Sequence, residues 1–319
     1  MKALTRFAIA GLAAAMATGL AGTAQAQLLG LGTAQAGATL RIGQEVARIV
    51  SQNSDMQMRS QGFASTGQYG PMVNAGALDF GLSNVIETNY LYNGRELANG
   101  QAQEDLRLVM VLYPLPITFF ATHRSGVTAP EQLYGKRVPT GWTSQPLGRW
   151  LWQGFFANHN LDYSRVNSTP VTAMPRQWDM VGQNQLDASF SIFGSAFVEE
   201  LTARAGGINY MNADDSPEAV ERMREYLPYA YVTEDYNKNH DITVKNISYD
   251  FVVFTNSKMS DDVVYNVVKA LYENSDALEI AYQTEGKKVR FAVESGIPFH
   301  PGAERFYREV GLWPPQEND

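Results

Sequence analysis

A chain of 319 residues with 45% apolar residues, 33 acidic against 25 basic side chains and no cysteine excludes several classes at once. Without thiols there are no disulfides, thiolate metal sites, cysteine nucleophiles or lipid-modified N-terminal Cys. A formal net charge of −8 lacks the basic footprint that nucleic-acid phosphates demand, so no nucleic-acid partner is expected.

The chain opens MKALTRFAIAGLAAAMATGLAGTAQAQ, with Lys2 and Arg6, a short apolar run and the triplet Ala24-Gln25-Ala26. That is the layout of a secretory signal peptide covering 1–26, cleaved before Gln27. Its apolar core is too short and too broken by Thr and Gly to remain as an anchor, so a periplasmic product is expected. Losing Lys2 and Arg6 moves the formal charge from −8 to −10. About 290 residues remain, enough for two α/β lobes of roughly 100–150 residues each.

In chain order, LLGLGT (28–33) reads as a buried strand, and TLRIGQEVARIVSQN spaces Leu40, Ile42, Val46, Ile49 and Val50 as a helix does, with Gly43 a close-packing point. MQMRSQG is a second strand. QGFASTGQYG follows as a hydroxyl-rich loop entering a helix that Pro71 should delay or bend. LDFGLSN completes a βαβαβ unit, which predicts a parallel sheet. The run 106–126 is a long aromatic strand in which Pro114 and Pro116 should prevent ordinary central pairing, and 242–262 has the same character. These two runs read as paired crossings between lobes. They set lobe 1 at 27–113 plus 250–319 and lobe 2 at 114–249. Within lobe 2, APEQLYGKRVPTGWTSQPLGRWLWQGFF reads as helix, strand, polar loop and helix, and LDASFSIFGSAFVEELTARA repeats strand, loop and helix. HPGAERFYREVGLWPP reads as a docked terminal helix.

Catalytic chemistry is thinly represented. His123, His159, His240 and His300 are the only histidines and none pairs with another at helical metal-ligand spacing. Ser65 misses the nucleophile-elbow pattern because Phe63 stands where Gly is needed. Gly30, Gly32 and Gly37 resemble a dinucleotide loop, but Gln35 takes the third glycine's position. Asp214-Asp215-Ser216-Pro217 is explained by Ser216 as N-cap with Pro217 at the first helical position. No metal, cofactor or catalytic residue is therefore expected.

A pattern recurs instead: strands end in small or hydroxyl residues that open helices, at Thr33-Ala34-Gln35 with Thr39, at Ser65-Thr66, at Thr143-Ser144-Gln145 and at Gly194-Ser195, and Ser83-Asn84 adds a fifth strand end. Ligands in open α/β sheets sit at the carboxyl ends of strands, against helix N-termini. Ordinary N-capping selects the same residues. Phe63, Tyr69, Trp142 and Phe193 flank these loops and would either wall a ligand or fill the lobe cores. Arg41 and Arg59 are the neighbouring cations able to pair with a carboxylate, and Arg149 follows the third loop by a helical turn.

GALDFGLSN, LYPLPITFFATHRSGVTAPEQLYGKRVPTG and above all Ile297-Pro298-Phe299-His300-Pro301-Gly302-Ala303 with Tyr307, Arg308 and Gly311 resemble the TAXI class of periplasmic solute-binding proteins that serve TRAP transporters. The resemblance implies the type II periplasmic-binding-protein fold, two α/β lobes joined by crossing hinge strands around a central cleft, without catalysis. The implied ligand is a small organic anion such as a carboxylate, oxoacid or amino acid, and the implied partners are the membrane subunits of a TRAP permease. The ligand-binding set on that reading is Thr33, Gln35, Thr39, Phe63, Ser65, Thr66, Asn84, Trp142, Thr143, Ser144, Gln145 and Phe193. This chain departs from the class in carrying Thr39, Leu40 and Arg41 where Tyr, Tyr and Pro are common, and in losing an Asn to Tyr69. A monomer is expected. The same fold would also suit a sensor presenting its closed form to a membrane receptor, and a hydrolase acting through Ser65 would need a base near it.

Overall fold

The computed structural model describes residues 27–35, 37–282 and 288–317, so the expected signal peptide lies outside the described residues. β1 (Gln27–Ala34) leads through α1 (Gly37–Gln52) to β2 (Met56–Phe63), then α2 (Thr66–Asn74), β3 (Phe80–Asn84), α3 (Val85–Tyr92) and β4 (Leu106–Thr122). β5 (Arg137–Gly141), α4 (Leu147–Asn158), β6 (Asn167–Val171), α5 (Met174–Gly182), β7 (Ala188–Ile192), α6 (Ala196–Ala205), β8 (Ile208–Met211), α7 (Pro217–Arg224) and β9 (Tyr231–Asn237) follow. β10 (Ile242–Asn256) returns the chain to α8 (Asp261–Glu273), α9 (Ser275–Tyr282) and α10 (Pro301–Glu309). The helix expected around residue 130 shrinks to one 3-10 turn, Pro130–Leu133, because Tyr134 turns extended and Gly135 adopts φ 72. Pro71 does not delay α2, which begins at Thr66 and carries the proline in its interior.

One eight-stranded sheet runs β2-β1-β3-β10-β4-β7, with β8 on β4 and β9 on β10. β1 pairs in parallel with β2 and β3, as two βα units require, whereas β10 lies antiparallel between β3 and β4. β4 and β10 belong to both lobes. Toward lobe 1 they pair from Leu106 with Asn256, and toward lobe 2 they part beyond Ile117 and Ile247, where β7 and β8 take β4 and β9 takes β10.

The expectation that Pro114 and Pro116 interrupt pairing is corrected by this register, since they sit opposite Asp250 and Ser248. The physical reason is which edge they face. Pro116 O accepts from Phe193 N at 2.9 Å on the outer edge of β4, so its missing N–H, and that of Pro114 two residues earlier, faces outward. There the neighbour of β4 changes from the segment that bonds Val111 and Leu112 to β7, which starts pairing at Ile117. The prolines stay in register with β10, next to a bulge between Asp250 and Val252, and mark the change of neighbour.

One continuous apolar cluster runs through both halves of the sheet. In α1 the buried residues Ile42, Val46, Ile49 and Val50 recur at 0, 4, 7 and 8, the face of an amphipathic helix. Gly43 lets that face approach β1, because a Cβ there would lie 2.2 Å from Thr33 Cγ2. Lobe 2 packs around aromatic rings: Phe119 of β4 stacks on Phe155 at 4.1 Å and meets Trp152 edge-on at 5.1 Å. Offset and edge-on contacts of this kind add about 0.5–1.5 kcal/mol each beyond the buried area.

Candidate functional site at the crossing of the lobes

β3 and β7 approach the crossing from opposite lobes, and both end there. β3 stops with Asn84 level with Phe251 of β10, while β7 stops beside Pro116 through the Phe193 amide. Phe251 falls in the bulge between Val111 and Pro114, about four residues of β4 from Pro116, and β3 and β7 flank the β10-β4 pair, so an offset of about 13 Å along β4 and about 14 Å across three strand spacings separates the strand ends by roughly 19 Å. Each strand end opens a helix, α3 capped by Asn84 and α6 capped by Ser195, whose Oγ accepts from Val198 N at 3.4 Å. The N-termini of both helices therefore begin at the crossing.

The best-organised group at the lobe 1 strand end is Glu87, absent from the residues singled out by sequence. Its Oε2 accepts from Thr66 Oγ1 at 2.8 Å, Asn84 Nδ2 at 2.9 Å and Ser83 Oγ at 3.1 Å, while its amide donates to Asn84 Oδ1 at 2.9 Å. Tyr69, wholly buried, donates to Leu82 O at 2.6 Å and touches Thr66 Oγ1 at 3.3 Å, fixing the floor of the group. Burial raises the Glu87 carboxyl above its ordinary value, and the three donors oppose that shift. Among the described residues no cation pairs with it. The signal was present: Asn84-Val85-Ile86-Glu87 has the spacing of a capping box, in which the fourth residue reaches back to the cap.

The predicted residues separate into buried and exposed sets. Thr33 is buried with its hydroxyl 3.1 Å from Ser60 Oγ, and Thr66 and Asn84 are buried around Glu87. Gln35 and Ser65 are exposed, and Thr39 and Phe63 are half-buried, the Phe63 ring 5.6 Å from Tyr69. In lobe 2, Trp142 is buried with φ 62, uncommon for a bulky residue, and its ring stacks on Phe190 at 5.5 Å as part of the core. Thr143 and Ser144 are exposed, whereas half-buried Gln145 accepts from Met174 N at 3.0 Å. Phe193 is half-buried against Tyr210 at 6.2 Å. Arg41 and Arg59 are both exposed on lobe 1.

Arg149 is the arginine of the three that spans the lobes, its Nη2 lying 2.8 Å from Glu96 Oε2. Beside it Tyr90 of α3 meets Trp150 of α4 edge-on at 4.8 Å and donates to Tyr226 O at 2.6 Å. Arg95 lies 5.0 Å over the Tyr90 ring and donates to Glu225 O. On the hinge itself, buried Asp250 accepts from Tyr231 Oη at 3.0 Å and pairs with Arg290 Nη1 at 2.7 Å. Burial pushes the Asp250 carboxyl up to about 6 against the pull of Arg290.

A hollow of about 310 Å³ lies elsewhere, between Thr128, Ile208, Tyr210, Ile242 and Val244. It sits at the amino ends of β8 and β10, the wrong end for the helix N-termini that orient ligands in α/β sheets. Among the described residues no group of three or more His, Asp or Glu is arranged to hold a metal ion, and no helix is long and apolar enough to cross a membrane.

Two α/β lobes strung on two shared strands, with strand ends and helix N-termini meeting at the crossing, define the type II periplasmic-binding-protein fold. The chain belongs to the NMT1-like family, whose sequence model matches residues 31–311. Among solved structures it is similar to MatC from Rhodopseudomonas palustris with bound malate, at 11% identity and a TM-score of 0.54 over 91% of this chain and 98% of that one. It is similar also to a TctC solute binding protein from Polaromonas, at 13% identity and a TM-score of 0.53 over 85% and 92% of the two chains. Periplasmic binding protein BugD is similar at 10% identity and a TM-score of 0.51 over 90% and 95%. At such identities the likeness speaks for the fold.

Proposed function

We propose that this chain is a periplasmic solute-binding protein that captures a small organic acid, whether a simple carboxylate, an oxoacid or an amino acid, and delivers it to a TRAP-type membrane permease. The observation that carries the reading is the convergence of the β3 and β7 carboxyl ends on the two shared strands β10 and β4, each end opening a helix. Lobe 1 is then 27–113 plus 250–319 and lobe 2 is 114–249, turning about Pro114 to Pro116 and Asp250. Exposed Ser65, Thr143 and Ser144 supply hydrogen bonds, Phe63 and Phe193 supply burial, and Arg149 meets the carboxylate when it exchanges Glu96 for the solute. Transport to a TRAP permease rests on the C-terminal Ile297–Ala303 motif.

Thermal unfolding of the mature protein against dicarboxylates, 2-oxoacids and amino acids tests the reading, alongside native mass spectrometry of protein taken directly from the periplasm. A solute at a hundred times its dissociation constant stabilises the fold by about 2.7 kcal/mol. Flat unfolding curves together with an empty native mass would overturn it.

A further inference from the structure

We propose that Glu87 receives a protonated amino group of the solute, so that among small organic acids the site selects those carrying an ammonium. The inference rests on the solute-binding reading and narrows its ligand. Glu87 stands at the carboxyl end of β3, in the first turn of α3, where the lobes meet. Three donors converge on Oε2 alone and fix the carboxylate plane, which leaves Oε1 without a protein donor among the described residues. An N-terminal cap needs one such bond, and Asn84 already caps α3 with its own Oδ1. Thr66 and Ser83, brought from α2 and β3, hold the carboxylate in addition to the cap.

The charges at the crossing point the same way. Arg149 pairs with Glu96, and Arg290 pairs with Asp250. Glu87 is the acidic group at the lobe 1 strand end with no opposite charge beside it among the described residues. A solute bearing only negative charge would meet it unscreened in a partly dehydrated site, which is repulsive. A solute with an ammonium donates N⁺–H to Oε1 and neutralises it, while its carboxylate turns to lobe 2. The half-buried Phe63 ring packs on Tyr69, which in turn touches Thr66, and is the apolar cover for that end of the solute.

Titration calorimetry of the mature protein with the standard amino acids and, for each one carrying a primary α-amine, its matching 2-oxoacid tests the assignment. The expected result is that at least one amino acid binds and its 2-oxoacid binds about ten- to a hundredfold more weakly, the range for a charge-assisted hydrogen bond. Glu87→Gln, which keeps the shape and the hydrogen-bonding capacity toward Thr66 and Asn84, should erase most of that difference. A 2-oxoacid that binds as tightly as its amino acid to the wild-type protein overturns the proposal and leaves the solute-binding reading standing. So does an amine-free acid found in the native mass of periplasmic protein. No binding in either series with an empty native mass overturns both.

Discussion

Replacing Tyr90 by Phe removes one oxygen from the contact between the lobes and leaves the ring in position. That oxygen donates to Tyr226 O at 2.6 Å, joining α3 of lobe 1 to the turn that follows α7. The ring keeps its edge-on contact with Trp150 at 4.8 Å and its buried environment in lobe 1. Tyr226 is only half-buried, so water replaces the lost donor and the cost is that of an ordinary neutral hydrogen bond, about 1 kcal/mol. That amounts to roughly a fivefold change in the odds of the closed form. The neighbouring Arg149–Glu96 pair is exposed on both sides, at 43% and 39%, and its removal should change the odds less. The chain contains no cysteine, so single cysteines introduced at exposed Gln57 of β2 and Asn167 of β6 are unique attachment points for spin labels. Electron–electron resonance between them should move population from the short to the long distance in Tyr90→Phe, with the denaturant midpoint nearly unchanged. An unchanged distance distribution combined with a lowered midpoint would refute the reasoning, because the hydroxyl would then be holding lobe 1 together.

Asp250 should leave a signature in the pH dependence of stability. Its folded carboxyl titrates at about 6 against an ordinary 3.8, so the folded state binds the proton more tightly and stability falls as pH rises between those values. The fall is roughly 3 kcal/mol and levels off above the upper value; chemical denaturation at several pH values should show that slope in the wild type and not in Asp250→Asn. Gly148→Ala puts a Cβ 2.3 Å from the Trp142 ring, against the stack on Phe190. It should cost about 1–3 kcal/mol and change the near-ultraviolet circular dichroism, and a silent variant would mean that Trp142 is free to move. Intact mass measurement of the exported protein should give a chain beginning at Gln27, and a product retaining Lys2 and Arg6 would refute the signal-peptide reading.

Much of the architecture was legible in the chain because it depends on local rules. The spacing of Ile42, Val46, Ile49 and Val50 forces one helix face inward wherever that helix lies, and strands separated by helices of this length pair in parallel. The two long aromatic runs announced the crossing strands. Their pairing across Pro114 and Pro116 could not be read, because it depends on which edge of β4 the prolines face and on where the neighbour changes.

The candidate site was legible only in part. Sequence located the strand ends with their hydroxyl residues, since capping chemistry is written in neighbouring positions. It could not say that Trp142 belongs to the lobe 2 core, that Thr33 is covered by Gly43, or that Thr66, Ser83 and Asn84 all turn toward Glu87. Nor could it rank Arg149 above Arg41 and Arg59, because the partner that distinguishes them, Glu96, is 53 positions away along the chain. Periodicity and caps follow from the nearest few residues and so are fixed by sequence alone. Whether a polar side chain is buried, exposed or paired across the lobes depends on residues that only the packed sheet brings together.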